Sequence, residues 1–200
     1  LGGIDVLCTD KTGTLTEGVI RLDAAVDVRG QPSAEVKRLA FLNAVLETGI
    51  ENPLDAAIVA AGEREGLSAA RVRKVDEIPY DFIRKRLTIV VEDGDAAGHL
   101  MVTKGAFATV LAVCSADPAL RSRCESFYRE KSAEGFRVLA VATRRCTPRA
   151  HYVHADEADM RLEGFLLFFD PPKADAARAI AELASLGIGI KVITGDNRYV

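Results

Sequence analysis

Hydrophobic and polar positions follow different patterns at the ends and in the middle of the chain. Near the ends, short continuous apolar runs each finish at an aspartate: VLCTD at 6–10, FLLFFD at 165–170 and IKVITGD at 190–196. Unbroken apolar runs of this length are typical of parallel strands that are buried on both faces. Between the last two runs, residues 173–187 have apolar positions at helical spacing and end at a glycine. The ends of the chain therefore predict a strand–helix–strand unit of a parallel α/β sheet.

The middle of the chain predicts an antiparallel α+β arrangement. Three helices are indicated by caps and apolar spacing: Ser33 to about Thr48, one that begins at Asn52 and Pro53, and Pro118 to Glu134. Residues 86–105 form two strand-like runs around a Gly/Asp-rich turn, which predicts a hairpin. Residues 136–144 predict another strand, and residues 146–159 a surface loop whose acids Asp156, Glu157 and Asp159 are solvated.

Composition and charge exclude several classes of protein. With 200 residues, 48% hydrophobic, 28% charged and a net charge of −3, the chain is ordinary for a globular protein, and we expect a monomer that binds no nucleic acid. No apolar run approaches the ~18 residues of a membrane span, so direct membrane insertion of this chain is not expected. Four scattered cysteines predict neither a zinc site nor a disulfide framework. We expect Cys8 to be a small buried hydrophobe in its strand.

Asp10 stands at the end of the first apolar run, followed by a lysine, threonines and a glycine in CTDKTGTLTEG. An aspartate here could simply end a strand in a tight turn. It could also be a nucleophile that forms an aspartyl phosphate, because the carboxyl ends of parallel strands are where open α/β sheets bind ligands. The hydroxyl groups and backbone N–H groups nearby, usually with Mg²⁺, would then neutralise the phosphoryl oxygens. The sequence Thr194-Gly195-Asp196 can supply further donors to the same crevice.

The string DKTGTLT at 10–16 resembles the phosphorylation motif of the P-type ATPases, the cation-pumping branch of the haloacid dehalogenase (HAD) superfamily. DPPK at 170–173 and TGDN at 194–197 are similar to the hinge and phosphate-binding motifs of that family, and they contain Asp170 and Gly195. The resemblance implies that Asp10 is phosphorylated and, with the backbone of Thr12, forms a partial Mg²⁺ site. It also implies side chains that hold the phosphoryl group or order the site: Lys11, Thr12, Thr14, Thr194 and Asp196.

Four further segments resemble the family's nucleotide-binding domain: NPLDAAI, YDFIRKR, KGA and FRVLA. They imply ATP contacts at five residues: Asp55, Phe82, Lys104, Gly105 and Arg137. Taken singly, the two cations are typical surface residues and the phenylalanine a typical core residue; only their joint occurrence in family order points to ATP. An aromatic face for adenine and cations for a triphosphate agree with this assignment. ENPLDAAI and IPYDFIRKRLTIVV are most similar to the bacterial magnesium-transporting subgroup.

The resemblance also implies the fold class, an α/β protein with two parts. Residues 1–17 and 166–200 would form a partial Rossmann-like (HAD-type) parallel sheet, the phosphorylation domain. Residues 18–165 would form an inserted α+β nucleotide-binding domain, built on an antiparallel sheet flanked by helices. The implied parent is an integral membrane ion pump, with this part at the cytoplasmic face of the cell membrane. The resemblance to the magnesium-transporting subgroup implies Mg²⁺ as its ion. Its membrane helices and actuator domain would lie outside this chain, and ATP and Mg²⁺ are the implied cofactors.

Two alternatives remain open from the sequence. The first is a HAD-type phosphatase with a large cap, but Thr12 stands where such phosphatases carry a second aspartate that activates water. The second is a non-catalytic adenine-nucleotide sensor. A P-loop NTPase is excluded, since the sequence contains no Gly-x-x-x-x-Gly-Lys-Ser/Thr. Because the family's Gly-Asp-Gly-x-x-Asn-Asp motif is also missing, we expect modest ATP binding and little or no autophosphorylation by this chain alone.

Overall fold

The computed structural model describes residues 3–49, 52–93 and 98–194. In this part of the chain the strands are β1 Val6–Asp10, β2 Arg21–Asp27, β3 Val72–Ile78, β4 Arg86–Asp93, β5 His99–Ala106, β6 Arg137–Cys146, β7 Arg161–Phe169 and β8 Gly189–Ile193. The helices are α1 Ala34–Leu46, α2 Pro53–Arg64, α3 Phe107–Ala112, α4 Pro118–Ala133 and α5 Ala176–Ser185. None of these helices has the length and apolarity needed to cross a membrane.

Six strands form one sheet in the order β2-β7-β6-β5-β4-β3, and every neighbouring pair is antiparallel. Alternate residues of each strand enter different cores, as the two-residue period of a strand requires. On β4, Ile89 and Val91 pack with α1 and α2, whereas Val90 packs with α3 and α4. The predicted antiparallel sheet flanked by helices is confirmed, with a core on each of its faces.

Local sequence signals set the helix starts where they were expected. The Ser33 hydroxyl accepts a hydrogen bond from the Val36 backbone N–H at 3.2 Å and caps α1. The Asn52 side-chain oxygen accepts two backbone N–H groups at 3.0 Å each, and Pro53 is the first residue of α2. The hairpin of β4 and β5 and the helix α4 are likewise confirmed. The strands β2 and β3 and the short helix α3 were not predicted.

The direction predicted for the strand before Asp170 is wrong. β7 pairs antiparallel with both β2 and β6, so α5 does not link two parallel strands of one sheet. The apolar run is unbroken because Phe165 enters the α3/α4 core while Leu166 and Phe168 enter the α1/α2 core. Continuous hydrophobicity therefore reports burial on two faces and says nothing of strand direction.

A second, smaller sheet joins β1 to β8, with Asp10 opposite Ile193, and among the described strands it is the one parallel pair. The larger HAD-type parallel sheet, and the division of the chain at residues 17 and 165, stay predictions. Cys8 in β1 is exposed, which corrects the expectation that it is buried. The rest of β1 is also exposed, except for the half-buried Thr9.

Candidate functional site

Lys104 and Asp55 form an ion pair at the centre of the candidate nucleotide site. Lys104 lies two residues after Val102 on β5, on the same face of the strand, and therefore faces α1 and α2. It is 5% exposed. Asp55 lies in the first turn of α2, where it also accepts a hydrogen bond from its cap residue Asn52. Two residues that are 49 positions apart in the sequence thus meet in a buried contact.

Glu47, directly after α1, belongs to the same group of charges but was not predicted. Its carboxyl lies close to that of Asp55, and a hydrogen bond between the two contributes to the pKa of Glu47. Burial, the largest cause, raises the pKa of Glu47 to about 7; the Lys104 ammonium opposes this rise, and the Asp55 and Glu77 carboxylates add to it. No motif marks this position, since its role depends on where α1 ends in space. The site therefore contains a lysine beside two carboxyl groups, and burial raises the pKa of one of them to about 7.

Glu77 on β3 borders this group and connects it to the end of α1. One of its oxygens accepts from both the backbone N–H and the hydroxyl of Thr48, each at 2.9 Å, and from the Lys74 ammonium. Burial acts to raise the pKa of Glu77, but the hydrogen bonds from Lys74 and Thr48 outweigh it and lower the pKa. Glu77 therefore stays ionised and holds the chain after α1 in place.

Gly105 permits the close approach of the neighbouring turn. A Cβ atom at this position would lie 2.5 Å from the Lys85 carbonyl oxygen and 2.5 Å from the Arg86 Cβ, closer than real contacts allow. The next residue, Ala106, donates its backbone N–H to the Lys85 carbonyl at 2.9 Å. The turn at residues 79–85 is therefore held against the strand that carries Lys104.

This turn carries the aromatic residue predicted to contact ATP. Phe82 is 83% exposed, so its interpretation as a core aromatic is wrong. Its ring meets that of Tyr80 edge-on, with ring centroids 5.6 Å apart. Tyr80, which was not predicted, is half exposed and offers a second aromatic face beside the first.

Arg137 is the first residue of β6 and is exposed. Arg137 shares a face of β6 with Leu139 and Val141, which follow at two-residue steps. Val141 is the pairing partner of Lys104, so both cations face the same side of the sheet. Arg137 is four residues before Val141 on the strand, a distance of about 13 Å along β6. Arg137 also pairs with Phe168, two residues before Asp170. Lys104, Arg137 and Asp170 therefore lie towards the same end of the strands β5, β6 and β7.

Asp10 and Thr194 come together at the end of the two-stranded sheet. Asp10 is the last residue of β1 and pairs with Ile193, so Thr194 follows directly on the neighbouring parallel strand. Asp10 is exposed, and its carboxylate accepts the backbone N–H of Lys11 at 2.8 Å. Gly195 and Asp196 lie outside the described residues.

The loop after Asp10 is fastened by the segment DPPK. Asp170 accepts a hydrogen bond from the Thr16 hydroxyl at 2.6 Å and another from the Gly18 backbone N–H at 3.0 Å. The Lys173 ammonium donates to the Gly13 carbonyl at 2.9 Å, and Gly13 has a φ of +77°, which favours glycine. Thr12 and Thr14, on the same loop, are exposed to solvent.

These positions suit a phosphoryl acceptor chemically, whereas the metal site is incomplete. The Asp10 carboxylate is the kind of oxygen ligand that Mg²⁺ prefers. Among the described residues, however, no group of three or more histidine, cysteine, aspartate or glutamate side chains could hold a metal ion. The described residues by themselves do not make a full magnesium site.

Comparison with known proteins gives the family of the chain. The family model described as "P-type ATPase, cytoplasmic domain N" matches residues 44–175, which include α2, the turn at 79–85 and strands β3 to β7. The chain therefore belongs to the P-type ATPase N-domain family.

Its relatives include named ion transporters. A "Magnesium-transporting ATPase, P-type 1" of Escherichia coli is 39% identical over the whole chain, and one of Salmonella typhimurium is 38% identical. A "Putative cation-transporting ATPase" of Methanocaldococcus jannaschii is 30% identical over 98% of the chain. The chain spans 24%, 23% and 23% of the lengths of these three relatives, so it corresponds to about a quarter of each.

Proposed function

We propose that this chain is the ATP-binding part, together with a portion of the phosphorylation domain, of a P-type ATPase that transports a cation. The observation that supports this most directly is the buried Lys104–Asp55 pair, which lies beside an exposed aromatic turn and on the same sheet face as Arg137. A cation near aromatic faces suits a nucleoside triphosphate better than it suits a simple anion.

In this proposal Lys104 and Arg137 bind phosphate oxygens, and the rings of the 79–85 turn contact the adenine base. Arginine and lysine both recognise phosphate, and arginine can do so through two parallel hydrogen bonds. Because Lys104 is paired with Asp55, ATP has to compete with that carboxylate for the ammonium group. We therefore expect modest affinity for ATP.

In the parent protein, a carboxylate oxygen of Asp10 would attack the γ-phosphorus of ATP. A new bond forms between Asp10 and phosphorus while the bond to the ADP oxygen breaks, which yields an aspartyl phosphate and ADP. Donors on the same loop and on the neighbouring strand would hold the transferred oxygens: Lys11, Thr12, Thr14 and Thr194. Since Thr12 has no carboxylate with which to activate water, the intermediate would persist long enough to drive a conformational change.

The cation and its membrane path belong to the part of the parent outside this chain. The similarity to magnesium-transporting relatives supports Mg²⁺ as the transported ion and the cytoplasmic face of the membrane as the location. In that setting, the parent's membrane helices and actuator domain are the partners of this chain.

Calorimetric titration of ATP and GTP into the chain tests the nucleotide site. The variants are Lys104→Gln, Phe82→Ala and Arg137→Gln, with Lys131→Gln on α4, at the opposite face of the sheet, as the matched control. We expect saturable ATP binding that the first three changes weaken by about tenfold each and that the control leaves unchanged. No ATP binding, or binding that is indifferent to all three changes, would overturn the proposal. Each variant is first checked for folding by thermal unfolding.

A further inference from the structure

Glu157 is a buried carboxylate that the proposed chemistry does not use. It follows a short 3₁₀ turn at His154–Asp156, and its side chain is 0% exposed, so the expectation that this acid is solvated is wrong. One of its oxygens accepts from Arg84 Nη1 at 2.6 Å and from Arg86 Nε at 2.8 Å. The other accepts from the Thr88 hydroxyl at 2.6 Å. Residues about 70 positions apart in the sequence are thereby joined.

Arg84, one of these partners, also organises the aromatic turn. Its Nη2 donates to the Pro79 carbonyl at 2.5 Å, and its Nε pairs with Asp81. Asp81 in turn accepts the backbone N–H groups of Ile83 at 2.8 Å and Arg84 at 2.6 Å. A single guanidinium group therefore connects both ends of the turn to Glu157.

Polar contacts, and not apolar packing, define the shape of this turn. Phe82 and Ile83 are mostly exposed and bury too little surface to hold it. The turn ends at Lys85 with a φ of +49°, a left-handed conformation that is unfavourable for a residue with a side chain. Such a conformation persists only where the surrounding contacts impose it.

Glu157 can impose the conformation of the turn because both of its carboxylate oxygens have charged or polar partners. Arg84 and Arg86 are 13% and 12% exposed, so the carboxylate meets two guanidinium groups away from bulk water. Arg86 is itself fixed by donating to the Thr109 carbonyl at 3.1 Å. Buried charge pairs with complete hydrogen bonding have little freedom to rearrange, since every alternative leaves a charge unpaired.

We propose that Glu157 is a positioning residue of the nucleotide site, which acts through Arg84 to hold the 79–85 turn so that its aromatic rings can stack on a bound base. The inference rests on the proposed ATP binding. Thr88 and Arg86 lie on the sheet face opposite Lys104, so the sheet separates Glu157 from that cation, and Arg84 connects Glu157 to the aromatic turn. Its influence falls on the base and not on the phosphates, which the cations on the other face bind.

The test measures the affinities of ATP and inorganic tripolyphosphate for the unmodified chain and for Glu157→Gln and Arg84→Gln. Asp156→Asn, which changes the neighbouring acid that pairs with Arg149 at the surface, is the matched control. We expect both test variants to lose ATP affinity by roughly tenfold or more, the size of a lost base stack, and to keep their tripolyphosphate affinity. The control should keep both affinities.

The outcomes separate this inference from the proposed function. If the unmodified chain binds no ATP, the proposed function fails. If it binds ATP, and both test variants bind ATP equally well, the inference is overturned. Equal loss of ATP and tripolyphosphate affinity would also overturn it, because it would show a general structural role. If Glu157→Gln does not fold, Arg84→Gln decides, since it leaves Arg86 and Thr88 to satisfy the carboxylate.

Discussion

β7 of the six-stranded sheet and β1 of the two-stranded sheet are both short apolar strands that run into an aspartate. Their surroundings differ: Phe165 and Leu166 on β7 are fully buried between helices, whereas Val6 on β1 is 49% exposed. The candidate sites differ in the same way, because Lys104 and Asp55 are buried while Asp10 is exposed. The side chains of an apolar strand thus become part of a core only when other elements cover the strand.

The largest expected contrast is between two lysines on strands of the two sheets. Lys104→Ala would leave Asp55 and Glu47 facing each other without a cation, and we expect a loss of about 3–5 kcal/mol in the free energy of unfolding. Lys191→Ala on the exposed β8 should leave that free energy unchanged within error. Urea denaturation measures both values. A loss of less than about 1 kcal/mol for Lys104→Ala would contradict the buried pair.

Two strand glycines offer a second contrast. Gly105→Ala would place a Cβ 2.5 Å from the carbonyl oxygen of Lys85, in the 79–85 turn, and we expect a loss of about 1–3 kcal/mol in the free energy of unfolding. Gly189→Ala on β8 would meet its nearest atom, the Asp5 carbonyl oxygen, at 3.6 Å, an ordinary contact. The same denaturation experiment should show almost no change there. Equal effects at both glycines would mean that the turn does not press against β5.

Glu47, beside the buried Lys104–Asp55 pair, should make the stability of the chain depend on pH. Its pKa rises from 4.5 to about 7 on folding, mainly through burial, so the folded state binds more protons than the unfolded state within this range. Its contribution to stability is therefore present at low pH and is lost as the pH rises from 4.5 to about 7.

Glu47→Gln should remove this part of the pH profile. The free energy of unfolding of the unmodified chain minus that of the variant should fall between pH 4.5 and pH 7 and stay constant above that range. A difference that rises with pH would show that Glu47 is stabilised as a carboxylate, and would contradict the proximity of Asp55. Denaturation at a series of pH values provides the measurement.

The smallest effect concerns the cysteines and leaves the fold unchanged. Burial raises the pKa of the Cys114 thiol to about 12, and burial also raises the pKa of Cys124. Because the thiolate is the reactive form, neither should react readily with iodoacetamide in the folded chain. Cys8 is exposed and should be alkylated first, as peptide mapping by mass spectrometry can show. Alkylation of Cys114 at the rate of Cys8 would mean that the α3/α4 core opens easily.

Much of the fold could be predicted because the signals are local. Caps at Ser33 and Asn52 marked helix starts, and a Gly/Asp-rich turn marked the hairpin of β4 and β5. The strands β2 and β3 were missed, since charged residues interrupt their apolar alternation. The direction of β7 was wrong because burial on both faces produces the same sequence pattern in either kind of sheet.

The family, the types of the main elements and the chemical groups of the candidate site could all be predicted from the chain, since motifs and caps depend on nearby residues. Three contacts could not: Lys104 with Asp55, Glu47 with that pair, and Glu157 with Arg84. These contacts join residues that are distant in sequence, and their partners are chosen by how helices pack on the sheet. Burial then sets the charge and reactivity of each group, and burial belongs to the packed molecule rather than to any segment of it.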